Sequence, residues 1–247
     1  MADYDNRALR SQATASDLID TGLRAYMLRV YNYMLVGLAL TGTAAFFVAE
    51  VPEIRALFFQ ISPDTGRFGL SILGWVAFLA PIGLVFFLSA RIRTMSLGAA
   101  QATFWIYATL MGVSLAPVAL LYARADIAIA FFTTAATFGA MSLWGYTTKS
   151  NLTGLGSFLF MGLIGVVIAS VVNLFMHSAM MTFVISVIGV VVFTGLTAYD
   201  TQGIKTMYDA GDDDATIGRK AIYGALHLYL DFINLFLLIL RLMGNRR

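Results

Sequence analysis

The chain has 247 residues, of which 59% are hydrophobic and only 12% charged, and its mean hydropathy is +0.79. A soluble domain averages about 45–50% apolar and about 25% charged residues, so this composition excludes an ordinary soluble fold and indicates an integral membrane protein. The net charge of +2, carried mainly in the N-terminal tail and between apolar runs, argues against a nucleic-acid surface; the lack of Cys excludes disulfide and thiolate chemistry; two His leave little basis for a structural zinc site.

Residues 1–26 are polar and are expected to form a retained cytoplasmic tail, because a cleavable signal would place its short apolar core sooner. The start Met1-Ala2-Asp3-Tyr4 has Ala where myristoylation requires Gly. Residues 27–247 are expected to form one transmembrane domain. A spanning helix needs about 20 mostly apolar residues, and six runs meet this readily: about 30–49, 70–90, 97–122, 127–146, 155–176 and 180–199. A seventh, about 221–243, qualifies despite His227 and Asp231. Gly74, Pro81, Gly112, Pro117 and Gly165 fall inside these runs, where small residues allow close helix approach and Pro is tolerated. No segment series shows the alternation of a transmembrane barrel. The expected fold is therefore an all-α membrane protein of seven transmembrane helices, with a polar-striped C-terminal helix at the centre.

Orientation is read from Lys and Arg in the loops. Arg7, Arg10, Arg24, Arg29, Arg91, Arg93, Lys149, Lys205, Arg219 and Lys220 fall on the N-terminal side; Arg55, Arg67, Arg124, Arg241, Arg246 and Arg247 fall on the other. The excess places the N-terminus in the cytoplasm. The three C-terminal arginines leave the side of the C-terminus open, although the length of the last run favours a full span.

The chemistry concentrates in two aspartates. Asp231 lies in the middle of the last apolar run, and Asp200 ends the run before it. A carboxylate at the centre of a spanning helix costs roughly 2.5–3.5 kcal/mol on insertion scales, so such residues face a bundle interior or a wet cavity. Tyr223, His227, Asp231, Asn234 and Arg241 recur at spacings of 4, 4, 3 and 7 and form one polar stripe. That stripe is expected to line a cavity. His227 and Asn234 are also compatible with simple packing, and Tyr223 with an interfacial position. Tyr199, Thr201 and Gln202 keep Asp200 in polar company. Two carboxylates a few ångströms apart cannot both ionise cheaply, so a facing pair would share a proton. The same pair would attract a hard cation such as Ca²⁺, with protons and cation in competition.

The segments Thr194-Gly195-Leu196-Thr197-Ala198-Tyr199-Asp200-Thr201-Gln202 and Gly224-Ala225-Leu226-His227-Leu228-Tyr229-Leu230-Asp231-Phe232-Ile233-Asn234-Leu235-Phe236 resemble the signature of the Bax inhibitor 1 (transmembrane Bax inhibitor motif) family. Ala25–Tyr31, Gly139–Lys149 and Leu240–Arg247 are similar to its bacterial branch, and the resemblance covers the chain. It implies two layers of three helices enclosing the C-terminal helix. It implies a pH-sensitive Ca²⁺ leak with a di-aspartyl sensor matching Asp200 and Asp231, which would also be the Ca²⁺-binding residues, and no other cofactor. It further implies a bacterial inner-membrane location, links to cell-death suppression in eukaryotic relatives, and in one bacterial relative modulation of a membrane-bound AAA protease. Some relatives latch the sensor aspartate with an arginine after the second helix; here Arg91 and Arg93 are the candidates, and both equally suit topology-setting charges. The lipid bilayer is the sure partner, and a monomer is expected.

Residues 203–220 are read as a long loop carrying Asp209, Asp212, Asp213 and Asp214, without the ligand spacing of an EF-hand. Such an acidic run is ordinarily a solvated loop, and beside a cytoplasmic mouth it would concentrate cations. Two other function classes remain open at this stage. A non-transporting regulator of a membrane protease or stress machinery is excluded by no sequence feature. An intramembrane aspartyl protease would also use paired aspartates on consecutive helices, but Asp231 follows Leu228-Tyr229-Leu230 rather than a flexible Gly-x-Gly, and no Pro-Ala-Leu follows. No closed catalytic constellation is present, so the chain is read as a non-enzyme.

Overall fold

The computed structural model describes residues 2–61 and 68–244, with side chains described from Thr21 onward. Arg7, Arg10, Arg67, Arg246, Arg247 and the Met1–Tyr4 start therefore lie outside the described side chains. Seven helices are long and apolar enough to cross a membrane. In chain order the elements are α1 (Ala2–Glu50), α2 (Pro52–Phe58), β1 (Phe59–Ile61), β2 (Phe68–Leu70), α3 (Ile72–Arg91), α4 (Leu97–Leu121), α5 (Arg124–Thr147), α6 (Thr153–Met176), α7 (Ala179–Thr206) and α8 (Asp214–Met243). The short α2 and the antiparallel β1–β2 hairpin, paired Phe59 to Leu70, fill the connection between the first two spans and were not legible as elements in the sequence.

Local chemistry sets the helix starts. Ser71, Ser96 and Ser178 each accept a hydrogen bond from the backbone N–H three residues on, at 3.0, 3.3 and 3.3 Å. These caps satisfy donors that a helix leaves unpaired in its first turn. α6 ends at His177, which takes a left-handed conformation at φ 50°. Asn173 secures that turn by accepting from Ser178 N at 3.0 Å and donating to Thr182 Oγ1 at 2.8 Å.

The helices form two layers. α4 lies between α1 and α3 in one layer, and α7 lies between α5 and α6 in the other. α8 sits between the layers and packs on α1, α4, α5 and α7. Its central place is visible in burial, since Ala221, Ile222, Leu226, Leu228, Tyr229 and Leu235 are all inaccessible. The other six spans turn large apolar side chains outward, as Phe86, Phe132, Phe158 and Val191 do. That pattern is expected where hydrocarbon rather than water is the solvent. The arrangement agrees with the expected seven helices, six of them closed around a central C-terminal one.

Two hydroxyl networks hold the layers to α8 and to each other. Tyr229 donates its phenol to Thr41 Oγ1 at 2.6 Å, and the Thr41 hydroxyl lies 2.8 Å from Ala108 O and 2.9 Å from Gly37 O. This ties α8 to α1 and α4. On the other side Tyr31 lies 2.5 Å from Ser142 Oγ, Ser142 lies 2.9 Å from Thr201 Oγ1, and Thr201 donates to Thr197 O at 2.7 Å. Because Thr201 spends its proton on a carbonyl, the chain runs one way, from Tyr31 through Ser142 to Thr201. It joins α1, α5 and α7 one residue from Asp200.

The α5–α7 contact next to Asp200, inside the second layer, depends on small residues. A Cβ at Gly145 would stand 2.3 Å from Ala198 O, inside any tolerable contact, so α5 and α7 meet backbone to backbone here. Gly145→Ala should therefore force α5 and α7 apart and destabilise the fold by about 1–3 kcal/mol. Gly139, on the same helix, has nothing within 4 Å of such a Cβ. Gly139→Ala should be neutral, and thermal unfolding of the two variants in detergent separates them.

Candidate functional site

The sequence placed Asp200 at the end of its segment, but α7 continues for six more residues to Thr206. Polar side chains carry that extension: Gln202 donates to Ser150 O at 2.8 Å and accepts from Leu152 N at 2.9 Å, while Lys205 donates to Tyr146 O at 2.8 Å. α8 likewise starts at Asp214, earlier than its apolar run suggests. The expected loop of 203–220 is thus only Met207 to Asp213. Its acidic residues are engaged. Lys220 pairs with Asp212, and Arg29 donates to Asp214 at 3.0 Å. The Thr216 hydroxyl bonded to its carboxylate, ahead of nearby Arg219, holds Asp213 below the usual carboxylate range.

Asp231 and Asp200 meet across the contact between α7 and α8. The two carboxyl groups face each other within reach of a side-chain hydrogen bond. Asp231 is 4% exposed, and its Oδ2 has no hydrogen-bond partner. Asp200 is less enclosed, and His227 Nδ1 stands 3.7 Å from its Oδ2. The Tyr223 ring packs on the His227 ring with centroids 4.5 Å apart. The stripe read from the sequence therefore assembles around Asp200 from the neighbouring helix.

The stripe from His227 onward, but not Tyr223, borders a cavity of about 1120 Å³ between α6, α7 and α8. Asp200, Tyr199, His227, Asp231, Asn234 and Arg241 all line it. From His227 to Arg241 the path is about 21 Å long at roughly 1.5 Å per residue, most of a hydrocarbon thickness. Asn234 donates to Leu230 O at 2.8 Å, which leaves its amide oxygen for the cavity. The opposite wall, on α6, is mostly apolar, with Phe160, Leu163 and Val167 interrupted by Ser157, Ser170 and Asn173. These α6 polar groups, with Thr182 of α7, were missed in the sequence; the available signal was a set of single polar residues inside an otherwise apolar run. Tyr199 reaches the cavity because Gly156 leaves room for its ring, which would stand 2.4 Å from a Cβ there.

Arg91 and Arg93, the expected latch candidates, are both exposed at the end of α3 and just beyond it. Among the described residues neither pairs with Asp200, whose ionic neighbour is His227. The remaining surface of α8 faces the first layer and α5, where Phe232 packs edge-on to Phe131 and Phe138 at 5.6 and 5.5 Å. α8 is thus two-sided, polar toward α6 and α7 and aromatic toward α1, α4 and α5. Among the described residues no group of three or more His, Cys, Asp or Glu is placed to hold a metal ion, so the site offers a carboxylate pair and not a closed coordination shell.

Residues 23–247 match the family described as inhibitor of apoptosis-promoting Bax1. The chain belongs to the Bax inhibitor family. It is 45% identical over 228 residues to the inner membrane protein YbhL of Escherichia coli (strain K12), covering 92% of this chain and 94% of that one. An uncharacterized protein of Rickettsia prowazekii (strain Madrid E) is 48% identical over 92% of each chain, and one of Caulobacter vibrioides is 42% identical over the full length of both. Family membership and the seven spans together make this Bax inhibitor protein an integral membrane protein, as its composition indicated.

The absence of Cys makes the hydration of the cavity directly measurable. Asn234→Cys should react with a membrane-impermeant thiol reagent at least about tenfold faster than Ile188→Cys, because the reactive thiolate forms only where water reaches it. Ile188 is exposed on α7 and is not among the residues lining the cavity along α8, so a lipid-facing position is expected of it.

Proposed function

We propose that this Bax inhibitor protein is a pH-sensitive cation leak, conducting Ca²⁺ through the cavity along α8 under control of Asp200 and Asp231. The observation that carries this reading is the Asp231 carboxyl: buried, facing a second carboxyl, and with one oxygen unpartnered beside a large cavity. A buried polar atom without a protein partner calls for water or an ion. Ca²⁺ prefers about 6–8 oxygen ligands, so two carboxylates leave most positions to water. That suits an ion in transit and not one in storage. Protons compete with the ion for the same oxygens, which makes the leak sensitive to pH. His227 and Asn234 extend the polar wall on either side of Asp231, and Tyr199 borders Asp200.

The distribution of Lys and Arg supports a cytoplasmic N-terminus, which would set the dyad in the cytoplasmic half of the protein. The printed name of the Escherichia coli relative supports an inner-membrane location. The reading requires no catalytic step. Asp231 lies in unbroken helix and lacks the flexible backbone of an aspartyl protease site.

The test is Ca²⁺ influx into dye-loaded proteoliposomes. Wild-type protein should conduct, and Asp200→Asn and Asp231→Asn should each lower the rate by at least about tenfold. Wild-type liposomes as tight as empty ones would refute the leak. In the same preparation Ca²⁺ affinity should weaken on acidification from about pH 8 to about pH 5, since protonating the pair removes the charge that attracts the ion. An affinity flat across that range would rule out coupling between the two carboxyls.

A further inference from the structure

We propose that Arg241 is a charge barrier at the far mouth of the cavity and that it discriminates passing cations by valence. This rests on the reading of the cavity as a cation path. Arg241 lines the same cavity as the aspartates but at its opposite end, in the last turn of α8. It lies ten residues beyond Asp231, about 15 Å along the helix. Its side chain is exposed, and among the described residues no carboxylate pairs with it. The sequences of α6 and α7, the other two walls, contain no acid except Asp200. No carboxylate among the residues lining the cavity stands at this mouth, and the guanidinium stays charged at any relevant pH. Polar but uncharged groups, Asn173 and Thr182, share that end of the cavity.

A cation entering or leaving there passes within the field of this charge. The work scales with the ion's charge, so the barrier acts twice as strongly, in free energy, on a divalent ion as on a monovalent one. A passage distance of about 8 Å in a water-like dielectric gives a rate effect of about 2.4-fold for a monovalent ion and about sixfold for a divalent one. The second factor is the square of the first, a relation that holds whatever the distance. The field is screened by salt over a Debye length of about 10 Å at 0.1 M and 3 Å at 1 M. A cation in the last turn also interacts favourably with the helix C-terminus, which is a structural role. That role predicts an effect on stability and none on discrimination by valence.

The experiment compares Ca²⁺ and K⁺ flux through wild type, Arg241→Gln and Arg241→Lys in proteoliposomes of low ionic strength. Arg241→Gln should raise K⁺ flux about 2.4-fold and Ca²⁺ flux about sixfold. Arg241→Lys should behave as wild type. Equal changes for both ions, or none, would overturn the barrier while leaving the leak standing. Wild-type vesicles impermeable to both ions would instead overturn the leak, and the barrier with it. Should Arg241→Gln not fold, wild type alone still decides: adding impermeant salt should raise Ca²⁺ flux relative to K⁺ flux, and an unchanged ratio refutes the barrier.

Discussion

The structure is organised around one unfavourable placement, a carboxyl group near the middle of the most buried helix. Asp231 cannot face lipid at acceptable cost, so α8 must be surrounded by protein on every side that matters. The two layers do this, and they treat the faces of α8 differently. Toward α1, α4 and α5 the contact is aromatic and dry. Toward α6 a cavity separates the helices, with α7 packed on α8 along its side, and the polar stripe looks into it. The carboxyl thus escapes lipid without being neutralised by a cationic partner: its nearest charged neighbour is another carboxyl.

That choice places demands on the rest of the molecule. Two facing acids repel when ionised, so the helices carrying them must be held by something else. The Thr41–Tyr229 bond fixes α8 from behind, two residues from Asp231. The Tyr31–Ser142–Thr201 chain and the Gly145–Ala198 contact fix α7 beside Asp200. Both clamps are built from hydroxyls and small residues, which gain more than bulky apolar groups when lipid offers no hydrophobic drive for helix association. The clamps lie on the walls away from the cavity.

Much of this was legible from spacing alone. Seven spans, a central last helix and a stripe at Tyr223, His227, Asp231, Asn234 and Arg241 follow from helical periodicity and the cost of burying charge. What was misread follows from one confusion, between the length of an apolar run and the length of a helix. Hydropathy reports where side chains meet lipid. α7 and α8 continue past that limit on Gln202, Lys205, Asp214 and Arg29, whose hydrogen bonds and ion pairs stabilise helix outside the bilayer. Asp200 therefore appeared to close a segment, and a seven-residue turn appeared as a long loop. The position of an arginine latch was illegible for a different reason, since a charge at a helix end satisfies topology and pairing equally well until the opposite helix is placed. Here the placement leaves both arginines exposed and brings His227 to Asp200.

The polarity of the cavity is the last consequence of the stripe. One helix places an acid, an amide and a base at successive depths along a single face, and its neighbours add one more acid and no compensating charge at the other end. A neutral passage would need none of this, and a site built to retain a cation would surround it with more oxygen ligands. A passage that admits cations at one end, holds them weakly, and opposes them at the other needs a separation of charge along its length. The i, i+4, i+7 spacing from His227 through Asp231 to Asn234 supplies the first part, and about two further turns of helix carry the face to Arg241. Attraction deep in the protein and repulsion at the mouth together produce a slow leak and not an open pore, because an ion stabilised near the carboxyl pair must still cross the opposing field to leave.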